Sequence, residues 1–120
     1  MTRVMLVEDD LLLARQFISS LETEGYGVVH ARHSGEAIVK IDEKLPDVII
    51  LDLLLPVASG LALLHELQSY QDTATVPVVI CSSIVDQISL EELRPYGVKR
   101  LVDKTIMQPQ NIVAAVRAVL

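Results

Sequence analysis

Five short apolar runs rich in β-branched residues recur along the chain: Val4–Val7, Tyr26–His30, Val48–Leu51, Val76–Cys81 and Val98–Val102. Each is about one strand long and nearly continuous in its apolar character, the pattern of strands buried on both faces. The segments between them carry helical spacing. Asp10 is placed to cap a first helix with Leu13, Phe17 and Leu21 on one face, stopped at Gly25. Ser34 is expected to cap a second that buries Ala37, Ile38 and Ile41 and ends before Pro46. A third follows Gly60 with Leu61, Leu64 and Leu67 inward, and a weaker fourth covers Ser89 to Arg94 before Pro95 and Gly97. Pro109, a good first helical residue, opens a fifth that presents Ile112, Val113, Val116 and Val119.

This β-α alternation, repeated five times, predicts an α/β fold with a doubly wound, parallel, five-stranded sheet covered on both faces. Right-handed crossovers leave few topologies, and the flavodoxin-like (βα)5 order 2-1-3-4-5 is the expected one. At 120 residues the chain is expected to form one domain, residues 1–120, without repeats or linkers, an output module being expected either to be absent or to lie beyond Leu120.

A composition of 51% hydrophobic and 22% charged residues belongs to a packed globular chain. The most apolar stretch, Val48 to Leu64, is interrupted by Asp52, Pro56, Ser59 and Gly60. A membrane span needs about 20 mostly apolar residues, so this stretch reads as core and no membrane partner is expected. Cys81 has no second cysteine to pair with, which points to a reducing, cytoplasmic setting and a small core side chain. Ten basic against sixteen acidic residues give a formal charge of −6, and the one close basic group is Lys99, Arg100 and Lys104, so direct nucleic-acid binding is not expected. His30, His33 and His65 lack metal-ligand spacing and read as ordinary, partly exposed residues. Leu12 and Leu90 are candidates for an exposed contact surface.

In an open parallel sheet, ligands bind beyond the carboxyl ends of the strands, at the point where the strand order reverses. The residues ending the predicted strands are therefore the candidates: Glu8 and Asp9 after the first, Asp52 after the third, Ser82 and Ser83 after the fourth, Lys104 just past the fifth. Carboxylates converging at one edge repel unless a cation sits among them, and oxygen donors without Cys or clustered His suit Mg²⁺. A lysine and a hydroxyl on the opposite rim would hold an anion over the metal, an arrangement for phosphoryl chemistry by charge stabilisation and positioning. Asp52 inside an apolar run is costly to bury without partners, which favours a functional role over a structural one.

These residues and their spacing resemble the receiver domain of two-component response regulators, over essentially the whole chain. The acidic pair is matched by Glu8 and Asp9 in Leu-Val-Glu-Asp-Asp, the phosphoacceptor by Asp52 with Pro56 and Gly60 at the family spacing, the strand-4 hydroxyl by Ser82, and the lysine by Lys104. The resemblance implies that Asp52 attacks a phosphohistidine on a histidine kinase or phosphotransfer protein and becomes an acyl phosphate. It implies Mg²⁺ bound by Asp9, Asp52 and the backbone carbonyl of Leu54, with Glu8 holding a coordinated water. Lys104 would pair with the phosphoryl oxygens, and Ser82 would move to hydrogen-bond the phosphoryl group, switching a protein-interaction surface. A cytoplasmic signalling domain is implied, with no activity as an enzyme beyond its own phosphorylation and autodephosphorylation. It would act on a downstream protein or a C-terminal output domain, with homodimerisation through the fourth helix, fifth strand and fifth helix.

Two positions depart from the family pattern: Leu101 stands where Tyr, Phe or His is usual, and Thr105 follows the lysine where proline is usual. The switch is therefore expected to differ in detail and the lysine loop to be set differently. Leu54 and Ile84, two residues beyond Asp52 and Ser82, cannot orient a water, which predicts slow autodephosphorylation. The nearest alternative keeps the fold without the chemistry: a receiver-like protein-interaction module that is not phosphorylated. A flavin module would need a hydroxyl- and glycine-rich loop where Glu8, Asp9 and Asp10 stand, and a magnesium phosphatase would need a second acid in Asp52-Leu53-Leu54.

Overall fold

The computed structural model describes residues 1–55, 59–105 and 107–120; Pro56 lies outside them. Five strands, β1 (Arg3–Val7), β2 (Gly27–Ala31), β3 (Val48–Leu51), β4 (Val78–Ser82) and β5 (Val98–Asp103), form one sheet in the order β2-β1-β3-β4-β5. All four pairings are parallel, and the order is the doubly wound one expected from the alternation. The helices are α1 (Leu11–Thr23), α2 (Ser34–Glu43), α3 (Gly60–Gln68), α4 (Leu90–Leu93) and α5 (Pro109–Val119).

Because side chains alternate along a strand, each strand feeds two cores. Met5, Val7, Ile49, Leu51 and Ile80 pack on one face with Ala37, Ile41, Leu63, Leu64, Leu67 and Leu93. Val4, Leu6, Val48, Ile50, Val79 and Cys81 pack on the other with Phe17, Leu21, Ile112 and Val116. Helices α2, α3 and α4 thus cover one face, and α1 and α5 the other. Asp10 caps α1 as its position suggested, its Oδ1 accepting from the amides of Leu12 and Leu13 at 3.1 and 3.2 Å. Gly25, at φ 91°, takes the left-handed conformation that ends the helix.

Several local expectations are corrected. The cap of α2 is His33, whose Nδ1 accepts from the Glu36 amide at 3.3 Å, and Ser34 is instead the first, buried residue of the helix. On α3 the inward residue of the first turn is Leu63, while Leu61 is exposed. Strand β4 begins at Val78 because the Val76 amide turns back to the Thr73 carbonyl and Pro77 has no amide to donate. Leu90 is half-buried against the core, whereas Leu12 is exposed. The weak fourth helix is a single α-turn, flanked by 3₁₀ turns at Val85–Gln87 and Arg94–Tyr96.

One irregularity bears on the site. Between Val78/Val98 and Val79/Arg100 the β4–β5 register slips past Lys99, so Ser82 comes to pair with Asp103. The next residue, Lys104, donates its amide to the Ser82 carbonyl at 3.0 Å. Hydroxyl and lysine are thereby brought to the same sheet edge.

Candidate functional site

β1, β3, β4 and β5 deliver Glu8, Asp52, Ser82 and Lys104 to one lip of the sheet, where the strand order reverses between β1 and β3. Glu8 and Asp52 are almost wholly buried, at 2% and 4% exposure, and Ser82 is fully buried. Unpaired carboxylates at such burial would be strongly disfavoured, so their partners define the site. Asp52 Oδ1 accepts from Ser82 Oγ at 2.8 Å and from the Leu54 amide at 2.9 Å. Asp52 Oδ2 faces Lys104 Nζ at 2.7 Å. The same ammonium lies 2.7 Å from Glu8 Oε1, and Glu8 Oε2 accepts from the Asp10 amide at 3.0 Å.

Gly60 completes the support behind Asp52. Its amide donates to the Leu53 carbonyl at 3.0 Å, and a Cβ there would run into the Asp52 carbonyl oxygen and sit 2.7 Å from Leu53 Cα. Only glycine lets the start of α3 pack this closely on the segment that carries Asp52.

One lysine serves two buried carboxylates, and the electrostatics reflect that shortage. Burial pushes the Glu8 carboxyl above its ordinary 4.5, only partly offset by the hydrogen bonds from Lys104 and from the Asp10 amide. For Lys104 burial opposes the charge, but hydrogen bonds to Asp52 and then Glu8 outweigh it and hold the ammonium above 10.5. The two directions are compatible: a cation shared between two anions keeps its proton firmly, while the deeply buried Glu8 stays under-compensated. Asp9 adds a third, exposed carboxylate, and one oxygen from each of Glu8, Asp9 and Asp52 lies within 4.8 Å of the others. Such a set of hard oxygens, short of positive charge, fits Mg²⁺.

The sequence model of the response regulator receiver domain matches residues 4–117. The chain belongs to that family. It is 30% identical over 109 residues to the polar-differentiation response regulator DivK of Brucella anthropi, covering 91% of this chain and 89% of that protein. DivK of Brucella ovis matches at the same identity and coverage. Among solved structures, the chemotaxis response regulator CheY4 of Vibrio cholerae superposes with a TM-score of 0.87 at 23% identity, over 100% of this chain and 99% of that one. A CheY-like receiver domain protein of Methanospirillum hungatei gives 0.84 at 22% identity, over 98% and 92%. These two likenesses speak for the fold.

Three contacts of this receiver were not anticipated from its sequence. Half-buried His30 points Nε2 at the Glu8 carbonyl at 2.7 Å, so the ring nitrogen donates there and supports the acidic loop. Lys104 bridges Glu8 directly as well as Asp52. Thr105, standing where proline is usual, donates both its amide (2.9 Å) and its hydroxyl (2.7 Å) to Asp103 Oδ1. Leu101 is half-buried and packs against the α2–α3–α4 side of the core. Ser83 is exposed and Ile84 half-buried, while Leu54 is 51% exposed beside the site. No helix among the described residues is long and apolar enough to cross a membrane.

Proposed function

We propose that this receiver accepts a phosphoryl group on Asp52 from a phosphohistidine of a histidine kinase or phosphotransfer protein. An Asp52 carboxylate oxygen attacks phosphorus, the phosphorus–nitrogen bond breaks, and the imidazole leaves with a proton. The observation that carries this reading is the convergence of Ser82 Oγ, the Leu54 amide and Lys104 Nζ on the two oxygens of one buried carboxylate, from segments far apart in the chain. Donors so arranged cost little reorganisation when charge builds on the phosphoryl oxygens.

Asp9, Asp52 and the Leu54 carbonyl would hold Mg²⁺, with Glu8 engaging it through water; the ion would offset the repulsion between carboxylates and phosphoryl oxygens. Lys104 is already oriented by Asp52 and pairs with the phosphoryl group once it arrives. Ser82, now on Asp52 Oδ1, exchanges that acceptor for a phosphoryl oxygen. The added charge of about −1.5 to −2 biases the interaction surface toward a downstream protein or output domain, homodimerisation through α4, β5 and α5 being one route. The setting is cytoplasmic, and the folded unit is the single domain of residues 1–120.

Acetyl phosphate with Mg²⁺ tests the reading by intact-protein mass spectrometry. A gain of one phosphoryl group by the wild type and none by Asp52→Asn is expected. No gain under any donor would leave the protein as an unphosphorylated interaction module, the reading that Leu101 and Thr105 favour.

A further inference from the structure

The residue after Lys104 is held by a device that differs from a ring-constrained proline. Lys104 leaves β5 with its amide on the Ser82 carbonyl, and its side chain must then reach both Asp52 and Glu8. A proline at the next position would restrict the backbone by its fixed φ and could donate nothing. Thr105 has no such restriction, yet its amide and its hydroxyl both close on Asp103 Oδ1, making a ring of hydrogen bonds across Lys104. The Asp103 carbonyl in turn accepts from the Met107 amide at 3.1 Å, tying the same residue to the start of the segment leading into α5.

We infer that Asp103 and Thr105 form a clip that positions Lys104 in the phosphoacceptor site, a role filled by a side-chain carboxylate and a threonine in this chain. Both act through Lys104, the residue that meets Asp52 and Glu8. Asp103 is pinned at the other side by its place in β5, opposite Ser82, so the clip transmits the β4–β5 register to the lysine. The mechanistic weight of this inference rests on the reading of Asp52 as phosphoacceptor, but the placement of Lys104 can be measured without it.

Competitive acylation with an N-hydroxysuccinimide acetate ester, read by peptide mass spectrometry, reports how firmly the Lys104 amine is held, with exposed Lys99 as internal reference. In Asp103→Ala the Lys104 amine is expected to acylate about five- to thirtyfold faster than in the wild type, the span of one to two hydrogen bonds of ordinary net strength. Asp103→Asn keeps an acceptor oxygen and should stay near wild type, and Thr105→Val, which keeps the amide donor, should fall between. The same ranking is expected in the rate of phosphorylation by acetyl phosphate. Unchanged Lys104 acylation in Asp103→Ala, or an equal rise at Lys99, overturns the clip. If acylation follows the ranking while no variant and no wild type takes up phosphate, the clip stands and the phosphoacceptor reading falls.

Discussion

Replacing Lys104 by methionine keeps much of the side chain's length and removes its charge, leaving Glu8 and Asp52 facing each other with 2% and 4% exposure. Removing one partner from a buried ion pair costs about 3–5 kcal/mol, because the remaining charge is left uncompensated. The Lys104 side chain is 19% exposed, so water relieves part of that cost and about 2–3 kcal/mol is the expected loss. With a urea dependence of about 1–3 kcal/mol per molar, the unfolding midpoint should drop by roughly 1–3 M at neutral pH without Mg²⁺. The sign with pH follows from the two groups. The raised pKa of Lys104 gives stability that is complete below 10.5 and fades only as pH rises through the higher folded value, so neutral solution shows the whole deficit. Glu8 is an acid whose folded pKa lies above its ordinary value, so the folded state binds that proton more tightly and protonation favours folding as pH falls. In Lys104→Met the proton takes over the missing ammonium's task, and the deficit against wild type should narrow from neutral pH toward the carboxylate range. Mg²⁺ should narrow it as well. A midpoint equal to wild type at neutral pH, or a deficit that does not shrink on acidification, would refute this account of the site's charge balance.

Gly60→Ala should lower stability by about 1–3 kcal/mol, as for other overpacked positions, since its Cβ meets backbone at Asp52 and Leu53; thermal unfolding checks this, and an unchanged midpoint would contradict the close approach. Burial pushes the Cys81 thiol up to about 12, and its exposure is 2%, so the native protein should not react with a disulfide reagent at mildly alkaline pH while urea-unfolded protein reacts at once. Fast native labelling would place Cys81 elsewhere. Once formed, the acyl phosphate on Asp52 should be long-lived because Leu54 and Ile84 offer no group to orient water; loss as rapid as in receivers with polar residues at both positions would exclude this.

What could be read from the sequence was whatever depends on local pattern or on strand ends. Near-continuous apolar runs alternating with helical spacing suffice for the order β2-β1-β3-β4-β5, and asking what ends each strand brings Glu8, Asp9, Asp52, Ser82 and Lys104 together. The misread positions depend on local backbone conformation or on contacts between distant segments. Leu61 and Leu63 are chemically identical, and only the docking of Gly60 on the Asp52–Leu53 backbone decides which faces the core. His33 and Ser34 both offer a capping acceptor, and the extended backbone at His33, φ −156° and ψ 172°, selects the former. His30 under the Glu8 carbonyl follows from the β1–β2 register, which pairs Leu6 with His30 and has no one-residue signal. The Asp103–Thr105 clip did have such a signal, since Asp-x-Thr is a turn-forming spacing of acceptor and donor.

The chemistry stands or falls at one carboxylate. Protein treated with acetyl phosphate and Mg²⁺, then reduced with borohydride and digested, reports the site of an acyl phosphate as homoserine in place of aspartate. The account predicts that conversion at Asp52 alone, dependent on the metal; homoserine at another aspartate, or none anywhere, would contradict it.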